Sequence, residues 1–141
     1  MPNVNGLAET ALFVENLSRA RDFYQQVVGL EKLRESEVGC VFVVTKEQLL
    51  LLVSQEKSRV PSETPGGVVP ACLVGPGETL GAGHIAFAVA EADLDAWRTR
   101  LESKGAEVLS EVAWERGARS LYFRDPDGHL LELATSGLWG P

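Results

Sequence analysis

With 141 residues, 45% of them hydrophobic, the chain can bury one core and falls within the range of a single domain. Its net charge of −7 excludes the cationic footprint expected of proteins that hold nucleic acid or anionic membranes. Two isolated cysteines, Cys40 and Cys72, exclude a disulfide framework and a zinc Cys pair, and no basic-then-apolar leader or apolar run of about 18 residues is present, so a cytoplasmic protein is expected.

The first run, Leu7 to Val14, has strand character. Asn16 then opens "NLSRARDFYQQVVGL", where Leu17, Ala20, Phe23, Tyr24 and Val27 recur at helical spacing and Gly29 supplies a stop. Three β-rich runs follow, near Leu30 to Arg34, Cys40 to Val44 and Gln48 to Val53. The first module, residues 5–54, is β-α-β-β-β. Residues 55–80 hold four of the seven prolines and four glycines and read as a long connection or arm. The second module, residues 81–136, repeats the order. "GHIAFAVA" reads as a strand and "EADLDAWRTRLESKG" as a helix, followed by strands near Glu107 to Trp114, Arg119 to Arg124 and His129 to Thr135. Glu9 and His84 fall at equivalent places in the two modules, which argues for a duplicated supersecondary unit.

Alternation sorts the strands into faces. Thr10, Leu12 and Val14 suit packing under a helix and leave Glu9, Ala11 and Phe13 on the other side. Ile85, Phe87 and Val89 form the bulky row of the next module, opposite His84, Ala86 and Ala88. In the last strand Leu131 and Leu133 form the apolar row and Glu132 lies opposite. Around the turn signal "DPDG", Ser120, Tyr122 and Arg124 are expected to share a face with Glu132 if the strands pair in register.

A carboxylate among leucines is costly without a partner, whereas a divalent cation satisfies two carboxylates and an imidazole together. If two curled sheets form a cleft, Glu9, His84 and Glu132 are the expected metal ligands. One nitrogen and two oxygens suit Mn, Fe, Zn, Ni or Co and leave positions for substrate. Taken singly, Glu9 reads as a solvated acid, His84 as an edge histidine and Glu132 as an ion-pair partner for Arg119 or Arg124. "GPGETLGAG" precedes a strand and so does not read as a phosphate loop.

The stretches "ETALFVENLSRARDFYQQVVGL", "GHIAFAVAEADLDAW" and "RSLYFRDPDGHLLEL" together resemble the vicinal oxygen chelate superfamily. That superfamily includes glyoxalase I, extradiol dioxygenases, fosfomycin-resistance transferases and bleomycin-binding resistance proteins. The resemblance implies an α+β glyoxalase-like domain over residues 1–141. In it, paired βαβββ modules form a U-shaped cleft around a divalent metal, with the helices outside, often in a homodimer. Its ligand places fall on Glu9, His84 and Glu132, and its metal-side tyrosine on Tyr122. The fourth ligand of glyoxalase I has no counterpart in the apolar "QLLLLV".

The implied activity is that of a metal-dependent enzyme on a small oxygen-rich substrate, of lyase, isomerase, thiol transferase or ring-cleaving dioxygenase type. Tyr122 and Glu132 would be catalytic, Arg119 and Arg124 would orient an anionic group, and Phe13 and Trp114 would form apolar walls. The alternative is a drug-binding resistance protein of the bleomycin type.

Overall fold

The computed structural model describes residues 1–73 and 81–139, in two units, Met1–Leu80 and Gly81–Pro141. In the first, strand β1, Glu9–Val14, buries Leu12 and Val14 while Glu9 and Ala11 are exposed, as the alternation predicts, but Thr10, expected on the packed face, is exposed near the strand start. Asn16 caps helix α1, Leu17–Phe23, its side-chain oxygen accepting the Arg19 N–H at 3.0 Å. The sequence predicts one regular helix up to Gly29, but the last turn, Tyr24–Val28, is a wider π turn. This turn accommodates the adjacent buried Val27 and Val28 beside buried Tyr24, whose ring lies 6.2 Å from that of Phe42.

Strands β2, Glu31–Glu35, β3, Gly39–Thr45, and β4, Gln48–Ser54, complete a sheet of order β1-β4-β3-β2. β1 runs parallel to β4, with Glu9 opposite Leu49, and the other pairs are antiparallel. Gly39 opens β3 where a Cβ would stand 2.5 Å from the Leu52 carbonyl oxygen, so only glycine fits. Residues 55–73 carry more structure than a plain connection: a 3₁₀ turn, Lys57–Arg59, and a hairpin of β5, Ser62–Thr64, with β6, Gly67–Val69. The rest of the predicted arm, residues 74–80, lies outside the described residues.

The second unit has β7, His84–Ala88, a 3₁₀ turn Glu91–Asp93, α2, Leu94–Ser103, and strands β8, Ser110–Ala113, β9, Arg119–Arg124, and β10, Leu130–Ala134. Its order, β7-β10-β9-β8, repeats that of the first sheet, with β7 parallel to β10. β8 is shorter than the predicted run Glu107 to Trp114. The Ala106 N–H closes the end of α2 on the Leu101 carbonyl at 2.9 Å, and the Trp114 N–H turns across to the Ala118 carbonyl at 2.8 Å.

The turn between β9 and β10 sets the register on which the site depends. The Asp125 carboxylate accepts the Asp127 and His129 N–H groups, each at 2.9 Å, and Gly128 takes a φ of +84°. Glu132 is thereby placed opposite Tyr122, and Leu130 opposite Arg124. Leu121, Phe123, Leu131 and Leu133 all lie in the core, on the face of the sheet that α2 covers through the Arg98–Glu111 ion pair. Leu133, with no exposed surface, should leave a cavity when truncated. Leu133→Ala is expected to lower the unfolding free energy by about 2–5 kcal/mol in urea denaturation, whereas exposed Ala86→Ser should change it by less than about 0.5 kcal/mol.

Candidate metal centre

Within the second unit, the face opposite the core gathers side chains from three strands. Glu132, in the middle of β10, is only 4% exposed. Its Oε2 accepts a hydrogen bond from the Ser120 hydroxyl on β9 at 2.6 Å, and its Oε1 lies 3.2 Å from Nε2 of His84 on β7. The parallel β7–β10 pairing makes this possible: His84 lies opposite Leu130, so its ring reaches Glu132 diagonally on the same face.

The His84 ring is fixed by its other nitrogen. Nδ1 lies 2.9 Å from the Leu130 carbonyl oxygen, which can only accept, so Nδ1 carries the proton. In the neutral imidazole, Nε2 then presents a lone pair to a carboxylate oxygen. Two acceptors 3.2 Å apart need a cation between or beside them, either an added proton or a metal ion. A metal-ligating histidine commonly gives its second ring N–H to a backbone carbonyl in this way, so the donor set fits a metal.

The segment entering β7 is held equally firmly. The Gly83 N–H donates to Nδ1 of buried His129 at 2.7 Å, and the Leu130 N–H donates to the Gly83 carbonyl at 2.9 Å. His129 is thus the turn-end residue its place in the sequence suggests, with a further part in positioning His84. The Gly83–His129 contact crosses 46 residues of sequence, and no local signal announces it.

Tyr122, directly across from Glu132, has its ring nearly parallel to that of His84, with centroids 6.4 Å apart. Burial, and then the adjacent Glu132 carboxylate, push its phenol above the usual tyrosine range, so it stays protonated and can donate. Trp114 is half exposed, and its indole N–H donates to the Ser120 oxygen at 2.9 Å. Ser120 thus lies on the face that the alternation predicts, and its bond to Glu132 is what the sequence does not announce.

Arg124 shares the Glu132 face by register and donates to the Gly128 carbonyl at 2.8 Å while remaining exposed. Arg119 is placed differently from its expected role: it has the parity of Leu121 and Phe123 and is bound to Glu111, which also pairs with Arg98 of α2. Its N–H and carbonyl are engaged by Thr135. Strand ends give no sign of this pairing, because the choice between Glu111 and Glu132 depends on which face the arginine takes.

In the first unit, Glu9 is exposed at the start of β1 and shares a face with half-buried Phe13. The register equates Glu9, opposite Leu49, with His84, opposite Leu130. The counterpart of Glu132 is Leu51, so the apolar run offers no ligand at that place. Among the described residues, no group of three or more His, Cys, Asp or Glu side chains is clustered as a ligand set. The pair brought together is His84 with Glu132.

A family model described as the Glyoxalase/Bleomycin resistance protein/Dioxygenase superfamily matches residues 6–133. The chain is similar to the metallothiol transferase FosB of Shouchella clausii, with 33% identity over 137 residues, covering 96% of this chain and 83% of the relative. It is also similar to the fosfomycin resistance protein FosX of Listeria innocua, with 28% identity over 134 residues, covering 92% of this chain and 89% of the relative. Among solved structures, it is similar to the lactoylglutathione lyase of Agrobacterium tumefaciens, with a TM-score of 0.82 and 29% identity, covering 99% of this chain and 100% of that one. The α+β fold expected from the sequence is the fold these similarities support.

The raised phenol of Tyr122 gives a direct check. In metal-free protein the phenolate absorbance lost in Tyr122→Phe should titrate with a midpoint above the ordinary value of 10.0. Glu132→Gln should lower that midpoint without restoring the ordinary value, because burial is the larger cause.

Proposed function

The chain belongs to the Glyoxalase/Bleomycin resistance protein/Dioxygenase superfamily, and from that premise we propose that it is a divalent-metal-dependent enzyme acting on a small oxygen-rich substrate. Among the reaction types open to such a site, thiol transfer is the first to test, because relatives similar along nearly the whole chain are a metallothiol transferase and a fosfomycin resistance protein. The observation that carries the proposal is the fixed lone pair of His84 Nε2, set 3.2 Å from an oxygen of buried Glu132.

His84 and Glu132 would hold the metal. Glu9 would be the third ligand, supplied by the first unit of this chain or of a second copy, and a homodimer in the cytoplasm is part of the proposal. The ligand set suits Mn, Fe, Zn, Ni or Co. Bound there, such an ion supplies Lewis-acid polarisation of substrate oxygens. Tyr122 offers a protonated phenol next to Glu132 as hydrogen-bond donor to an oxygen that gains charge. Arg124, exposed on the same face, would pair with an anionic substrate group such as a phosphonate. The exposed side of Trp114 would form an apolar wall, with Phe13 as a second. Arg119 is occupied with Glu111 and is left out of the substrate contacts.

Metal quantification on protein purified without chelators is the test, followed by an assay of thiol addition to fosfomycin and a hemithioacetal assay. Close to one equivalent of metal per chain is expected, falling at least tenfold in Glu132→Ala. Arg124→Ala should raise KM for an anionic substrate by about tenfold or more, and Arg119→Ala should not. A protein that neither retains nor takes up any of the five metals contradicts the proposal. Ligand binding without turnover, unchanged in Glu132→Ala, would favour the drug-binding alternative.

A further inference from the structure

We propose that Ser120, itself oriented by Trp114, is a positioning residue that keeps Oε2 of Glu132 engaged, so that the carboxylate presents a single oxygen, Oε1, beside His84 Nε2. The inference rests on the reading of His84 and Glu132 as metal ligands and adds how Glu132 is made to bind.

Hydrogen-bond direction in this chain of contacts is set by chemistry. An indole N–H only donates, so Ser120 Oγ is the acceptor of the 2.9 Å contact with Trp114 Nε1. The Ser120 hydroxyl has one proton, and the 2.6 Å contact with Glu132 Oε2 takes it, since an ionised carboxylate only accepts. The chain therefore runs one way, from Trp114 through Ser120 to Oε2. Ser120 has no exposed surface and Glu132 is 4% exposed, so the hydrogen bond between them is buried.

A carboxylate binds metal through one oxygen or both. With Oε2 engaged by Ser120, binding through both oxygens requires breaking a buried hydrogen bond. Single-oxygen binding uses one coordination position and leaves another for water or substrate. Trp114, half exposed as a wall, has its N–H committed to this arrangement, so the group that would touch substrate also steadies the ligand.

The test uses Mn²⁺ with the full chain. Calorimetry establishes saturation, and water-proton relaxation reads the exchangeable waters on the bound ion. Ser120→Ala should free Oε2 and remove about one exchanging water per ion. Ser120→Thr, which keeps the hydroxyl, should restore the wild-type value, and Trp114→Phe should fall between. Loss of packing alone would not be rescued by the hydroxyl. Unchanged relaxation in Ser120→Ala at saturating Mn²⁺ overturns the inference while leaving the metal reading intact. If Ser120→Ala does not fold, Trp114→Phe decides in its place, and relaxation equal to wild type there overturns the inference. Wild-type protein that binds no Mn²⁺, Fe, Zn, Ni or Co overturns the metal reading, and this inference with it.

Discussion

When one nitrogen of a neutral imidazole donates to a backbone carbonyl, the other has only a lone pair left. In this chain the lone pair of His84 Nε2 is set 3.2 Å from an oxygen of a carboxylate with almost no access to solvent. The imidazole is half exposed but the carboxylate is not, and an added proton or a metal ion would relieve the facing acceptors. Much of the second unit serves to hold this geometry. The parallel pairing of β7 with β10 sets the diagonal reach of His84, His129 fastens the residue before it, and the Asp125 turn fixes β9 so that Ser120 and Tyr122 flank Glu132.

The repeated unit makes the uneven distribution of chemistry visible. Both sheets have one order and one mixed pairing pattern, so positions can be matched strand by strand. Where the second unit has Glu132, Tyr122 and Ser120, the first has Leu51, Val41 and Gly39. Gly39 is excluded from carrying a side chain at all by the nearby Leu52 carbonyl. At the place His84 takes in the second unit, the first has Glu9.

Much of this was legible in the sequence because it depends on local periodicity. The alternation of "SLYFRDPDGHLLELAT" around a strong turn signal gave the register, and with it the shared face of Ser120, Tyr122, Arg124 and Glu132. The duplicated strand order was legible for the same reason. What escaped depends on contacts far apart in sequence or on small differences in backbone path. The grip of His129 on Gly83 and of Leu130 on His84 arises from a parallel crossover, which leaves no pattern in either strand alone. Arg119, expected to orient an anionic group, has the parity of Leu121 on the helix side, where Glu111 binds it. The π turn at Tyr24–Val28 and the hairpin within residues 62–69 replace a regular helix end and a plain arm, and the sequence patterns of both are shared with simpler alternatives.

The central claim is that His84 Nε2 and Glu132 Oε1 converge in order to bind a metal ion. X-ray absorption at the zinc edge of zinc-loaded protein tests it most directly, because His84 and His129 are the only histidines in the chain. The expected nearest shell contains one imidazole nitrogen at about 2.0–2.1 Å with oxygens at about 2.0–2.2 Å, and the imidazole scattering disappears in His84→Gln. A zinc shell without imidazole, or one that His84→Gln leaves unchanged, would contradict the account.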